Sequence, residues 1–220
     1  MSQVQDVVKN FPPTTKRLNA ELEARQVIRI RTLSLIQPLG QNQLDHAPRA
    51  GAWSVGEIVD HVLLADQIER GIVKELTLLL RRGKRPFVER SLLDLGMHPK
   101  FMPKVFISSL EPLVSFFSTH TPLSIRAWLM RQPLIPFPHP AKATPRRFLP
   151  GNELRSRLVF SYQATSSLFK ANADIDFHSL VVRHSILGYL NTMDLLRLMG
   201  NHEARHQKQI EKTVRGLPHE

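Results

Sequence analysis

The chain has 220 residues, and 42% of them are hydrophobic, which is enough to bury a sizeable core within one domain. It contains no cysteine, so disulfides, a cysteine nucleophile and cysteine-ligated zinc are excluded. The formal net charge is +11, but the basic residues are scattered and do not alternate with aromatic residues as in single-strand binders, so nucleic acid is not favoured as the main ligand.

The hydrophobic residues do not form a membrane-spanning run, which needs about 18 continuous apolar residues. The N-terminal residues 1–6 lack the basic start and apolar block of a secretory signal. From these two features we expect a cytoplasmic protein that has no membrane partner.

The first of four predicted helices extends from about Thr14 to Ile36, between Pro12-Pro13 and Pro38. Apolar residues recur along it: Leu18, Leu22, Val27, Ile28, Ile30, Leu33 and Leu35. Charged residues are expected on the remaining faces: Lys16, Glu21, Arg25 and Arg29.

A capping box marks the start of the second predicted helix. The Ser54 hydroxyl can accept a first-turn N–H, and the Glu57 carboxylate can accept the N–H of Ser54. The helix continues to about Arg82 and ends at Gly83. His61 therefore lies about two turns into a well-marked helix.

Two further helices are predicted towards the C-terminus. The third extends from about Asn152 to Ala171, and the fourth begins near Asn191, a good cap, and extends to about Arg215. Together the four segments predict an all-α, four-helix bundle that occupies 1–220 as a single domain.

A long connection, 83–151, joins the second and third predicted helices and contains most of the 16 prolines. It also contains many large apolar residues, which a disordered linker would lack. We therefore interpret it as a packed insertion that caps one end of the bundle, with short helices near 104–118 and 123–131.

Three histidines lie on the apolar stripes of their helices: His61 on the second, and His202 and His206 on the fourth. The spacing of four residues places His202 and His206 on one helix face. Buried imidazoles need partners, and a hydrogen-bonded core position is the alternative for any one of them. One divalent metal would satisfy all three, and three protein ligands with an open position are typical of a catalytic site.

Polar neighbours of these histidines have different expected roles. Gln209 lies near the helix face of His206 and could orient that ring without itself binding the metal. Asp60 and Asp66 are close to His61 in sequence, but they are expected to point away from its stripe.

Two carboxylates are candidate catalytic residues, Glu57 and Glu203. Glu203 follows His202 in an H-E-x-x-H motif, where zinc proteases use the glutamate as general base. A protease is not favoured, because little chain follows His206 and no predicted sheet could align a peptide. Glu57 lies one turn before His61, but capping is the stronger interpretation of its role.

The start of the second helix and the C-terminal stretch together resemble the DinB-like superfamily. The matching residues are Trp53-Ser54, Glu57-Ile58, His61, His202, His206 and Gln209-Ile210. The resemblance covers about 52–65 and 183–212, with Ser185 where the family commonly has proline. It implies a four-helix bundle whose long crossover links the second and third helices, and often a homodimer. It also implies one divalent transition metal (zinc, nickel or iron) held by His61, His202 and His206.

The resemblance further implies an activity. A low-molecular-weight thiol would be transferred to a small organic electrophile, and the thiol would be a cosubstrate because the chain has no cysteine. A metal-dependent hydrolase of a small substrate is the first alternative. A non-catalytic protein that binds metal or nucleic acid is the second.

Overall fold

The computed structural model describes residues 13–90, 125, 141–184 and 188–217. The four long helices lie almost residue for residue where the sequence predicts them, and a short helix, α2, follows the first. Their bounds are α1 (Pro13–Ile36), α2 (Gln41–Asp45), α3 (Val55–Arg81), α4 (Gly151–Lys170) and α5 (Thr192–Arg215). The insertion predicted over 83–151, with its short helices, falls mostly outside the described residues.

The four long helices pack together as a bundle. Helix α1 contacts α4 and α5, and α3 contacts the same two helices. The predicted helical bundle is therefore confirmed, and the chain between α3 and α4 is the long crossover between the second and third long helices. No helix in the described part of the chain is long and apolar enough to cross a membrane.

A small sheet, which the sequence pattern did not predict, lies beside the bundle. Strand β1 pairs in parallel with β2, and β2 pairs antiparallel with β3. Strands this short show too few alternations to be recognised from sequence. Their bounds are β1 (Phe87–Arg90), β2 (Val181–His184) and β3 (Gly188–Asn191).

Caps fix the turns on which the histidines lie. The predicted capping box is confirmed, since Ser54 Oγ accepts the Glu57 N–H at 3.2 Å and Glu57 Oε2 accepts the Ser54 N–H at 2.9 Å. At the start of α5, Asn191 Oδ1 accepts the Asp194 N–H at 2.9 Å. Both helices therefore start where the sequence predicts, which fixes the faces of their later residues.

Two apolar clusters fill the bundle, one towards each end of the long helices. Between them lies a buried group of side chains that we call the polar layer: Arg25, Arg29, Thr32, Asp66, Ser161 and Glu203. In α3, for example, Asp66 falls between Leu63 of one cluster and Ile72 of the other.

The expectation that Arg25 and Arg29 lie on solvated faces of the first helix is wrong. The two residues are 1% and 2% exposed. Arg25 is 2.5 Å from an oxygen of Asp66, and Arg29 is 2.6 Å from Asp66 and 2.9 Å from Glu203. Burial of these guanidinium groups is possible because each meets a carboxylate.

The apolar positions of α1 are not all buried, since Val27 and Ile30 are 68% and 57% exposed. The buried stripe of α1 keeps helical spacing, but two of its positions are arginines. Apolar residues alone therefore do not define the buried face of α1.

Candidate metal centre

The three histidines predicted as metal ligands lie together between α3 and α5. One nitrogen from each of His61, His202 and His206 lies within 4.8 Å of the other two. The ring centroids are 5.2 Å apart for His61 and His202, 4.9 Å for His61 and His206, and 4.5 Å for His202 and His206. Within the described ranges, this cluster could hold a metal ion.

The two histidines of α5 offer the same ring atom to the cluster. The Nε2 atoms of His202 and His206 are 3.1 Å apart. A tetrahedral ion with metal–nitrogen bonds of about 2.0–2.1 Å separates its ligand nitrogens by about 3.3 Å. The spacing of four residues thus gives a separation that one ion can bridge.

Hydrogen bonds at Nδ1 orient two of the rings. His61 Nδ1 lies 2.7 Å from the carbonyl oxygen of Ala143. A carbonyl only accepts, so the proton is on Nδ1 and the lone pair is on Nε2. His206 Nδ1 donates in the same way to Gln209 Oε1 at 2.7 Å, which confirms the predicted contact of Gln209. Such outer hydrogen bonds fix the tautomer of histidines that bind metals.

Burial keeps the α5 imidazoles neutral. It lowers the pKa of His202 to about 3, with the charges of His61, Arg205 and Arg25 adding to the effect. Burial also lowers the pKa of His206 well below its usual value, and the charges of His202 and His61 add to it. Neutral imidazole is the form that binds a metal. The donor set therefore fits a divalent transition metal.

The two candidate carboxylates lie near the histidines in sequence but are bound elsewhere. Glu57 caps α3, and its Oε1 is 3.3 Å from Arg147 Nε. Glu203 is fully buried, and its Oε1 accepts from Thr32 Oγ1 at 2.7 Å while its Oε2 lies 2.9 Å from Arg29. Among the residues that the structure describes, neither carboxylate joins the histidine cluster.

One contributor to the site, Ala143, could not be found from the sequence. Its contribution is a backbone carbonyl, for which no side chain gives a signal, and it lies 82 residues after His61. Asp60, next to His61, points away from the cluster as predicted and accepts from Arg146 and Arg157. Burial opposes ionisation of Asp60, but these hydrogen bonds outweigh it and hold its pKa below the usual value.

The fold and the cluster define a class: a helical bundle in which three histidines form a site that could hold a metal. The sequence model of the DinB superfamily matches residues 26–210, which is most of the chain and includes all three histidines. The protein belongs to the DinB superfamily, as the resemblance of its motifs suggested. No curated protein and no solved structure matches the chain significantly.

Proposed function

We propose that the protein is a metal-dependent enzyme that transfers a low-molecular-weight thiol to a small organic electrophile. The observation that carries this proposal is the convergence of His61, His202 and His206 from two helices. Three protein ligands leave a coordination position open for a reactant. Because the chain has no cysteine, the thiol comes from a cosubstrate.

In this proposal the three histidines hold one zinc, nickel or iron ion. When bound, such an ion lowers the pKa of a coordinated thiol or water and polarises an electrophile. The Ala143 carbonyl and the Gln209 side chain keep two rings aligned. The Trp53 ring, 4.8 Å from that of His61, supports the imidazole from the side.

The electrostatics near the site also support a thiol reaction. The positive charge of Arg205 acts on His202, whereas the charge of Arg25 is paired with Asp66. Positive charge near a thiol favours its ionised and nucleophilic form. The same field would favour an ionised water, so hydrolysis of a small substrate remains the alternative that the assay must separate.

The test is a stoichiometric assay on protein loaded with zinc, nickel or iron. We would supply an epoxide, an aryl halide or an activated alkene together with cysteine or glutathione, and measure loss of thiol and of electrophile. We expect equal losses that chelation abolishes. Turnover that needs metal but no thiol would instead identify a hydrolase.

Matched variants make this assay specific to the site. His61→Ala and His202→Ala should abolish turnover, because each removes a ligand. His178→Ala, which removes an exposed histidine outside the cluster, should keep it. A wild-type protein that takes up metal but converts none of these substrates would favour a non-catalytic binding role.

We also propose a homodimer, on the basis of family membership. Light scattering of the purified protein tests this assembly. A monomer over the whole concentration range would overturn it without affecting the proposed chemistry.

A further inference from the structure

A segment at the end of the long connection, residues 141–149, is attached to the start of α3 through Asp60. The backbone N–H of Arg146 donates to Asp60 Oδ2 at 2.8 Å. The Arg146 guanidinium adds a two-point contact, at 2.9 Å to Oδ1 and 3.2 Å to Oδ2. Asp60 is fully buried, so these bonds compensate for a carboxylate that water cannot reach.

The same segment also contacts His61, through Ala143, which lies three residues before Arg146. Ala143 lies in a short 3-10 helix (Ala141–Ala143), is fully buried, and its carbonyl accepts the Nδ1–H of His61. Asp60 and His61 are consecutive in α3, where side chains of neighbouring residues diverge by about 100°. The segment therefore wraps around α3 and contacts it on two sides.

We infer that Asp60 is a positioning residue for His61: by fixing the backbone at Arg146, it holds the Ala143 carbonyl against Nδ1. This contact keeps the proton on Nδ1 and directs Nε2 towards His202 and His206. The role of His61 as a metal ligand rests on the proposed function. Its hydrogen bond to the Ala143 carbonyl does not depend on a metal. Arg147 of the same segment also reaches α3, but through an exposed side chain that lies 3.3 Å from Glu57.

The carboxylate is also bound by α4. Arg157 Nη1 donates to Asp60 Oδ1 at 2.8 Å but belongs to α4 and not to the segment 141–149. This gives a matched pair of variants. Asp60→Asn removes the charge that holds the segment, whereas Arg157→Ala removes a partner of the same carboxylate and leaves the link to Arg146.

The first measurement is the tautomer of His61, from side-chain nitrogen shifts in NMR spectra of the metal-free protein. We expect the Nδ1–H form in the wild type and in Arg157→Ala. In Asp60→Asn we expect a substantial population of the Nε2–H form. A purely structural role for Asp60 would lower thermal stability without changing this signal.

The second measurement is zinc affinity, from competition with a chelator. Loss of an outer-shell contact typically weakens metal binding by about 10- to 100-fold, which we expect for Asp60→Asn. Arg157→Ala should bind zinc as the wild type does. Arg146→Ala keeps the backbone N–H and should give a smaller shift in the same direction, so it replaces Asp60→Asn if that variant does not fold.

An unchanged tautomer and unchanged zinc affinity in a folded Asp60→Asn or Arg146→Ala variant would overturn the inference. Failure of the wild type to bind zinc, nickel or iron would overturn the proposed function instead. In that case the tautomer comparison still decides whether Asp60 positions His61.

Discussion

Adjacent residues in one helix can serve different parts of a protein, and His202 and Glu203 are an example. His202 faces the histidine cluster, while the Glu203 carboxylate contacts Thr32 and Arg29 of α1. In an H-E-x-x-H motif of a zinc protease, the glutamate faces the substrate. Here its oxygens belong to the polar layer, so we propose a structural role for it.

Glu203→Gln tests that role. Arg29 also pairs with Asp66, so the polar layer holds two guanidinium and two carboxylate groups, and removing the Glu203 charge leaves one buried positive charge in excess. We therefore expect the free energy of unfolding to fall by about 3 kcal/mol. Zinc uptake per chain should be unchanged, because no ligand is altered. Urea denaturation and metal analysis measure the two effects. Normal stability combined with a large loss of turnover would contradict the structural role and restore the general-base hypothesis.

For individual residues, the sequence predicted the positions of side chains better than the contacts of backbone groups. The spacing of four residues placed His202 and His206 on one helix face, and the position of His61 followed from its own capped helix. Gln209 was predictable because it lies one turn after His206. The Ala143 carbonyl was not, since a backbone group is the same at every residue and its approach depends on the path of a long connection.

Among the elements, α3 combines several environments because its faces meet different neighbours. His61 faces α5, Asp60 contacts α4 and the segment 141–149, and Asp66 contacts α1 and α4. The capping box made the start of this helix predictable. The burial of Arg25 and Arg29 in α1 was not predictable, because their partners are distant in sequence.

Glu69 of α3 gives a prediction about pH. Burial, with the charge of Asp66 adding and that of Arg90 opposing, raises the pKa of Glu69 to about 7 from the ordinary value of 4.5. Its Oε2 is buried without a hydrogen-bond partner among the described residues. Between these two values the folded state holds a proton that the unfolded state has lost. This contribution therefore makes the folded protein less stable as pH rises from 4.5 to about 7.

Glu69→Gln keeps the shape and removes the charge. We expect a higher melting temperature than the wild type at about pH 8 and little difference at about pH 5, measured by thermal denaturation. Glu75→Gln is the control, because Glu75 is an exposed carboxylate of the same helix that pairs with Arg90. An equal effect of Glu69→Gln at both pH values, or a lower stability at the higher one, would count against a Glu69 that holds a proton in the folded state.

In the whole molecule, the histidine cluster and the polar layer connect the same helices. The polar layer joins α1, α3, α4 and α5, and a metal held by the histidines would join α3 to α5 again. A metal present at about 100 times its Kd for this site would stabilise the folded state by about 2.7 kcal/mol. The number and order of the four long helices were predictable from periodicity and caps, whereas the small sheet was not, because its strands have four residues each.

The most direct test of the account is the metal content of purified protein that carries no histidine tag, after incubation with zinc, nickel or iron and removal of excess metal. For one mononuclear site we predict about one ion per chain in the wild type and in His178→Ala, and loss of that ion in His61→Ala and in His202→Ala. A wild-type protein that takes up none of the three metals would contradict the account and leave the three histidines as core residues.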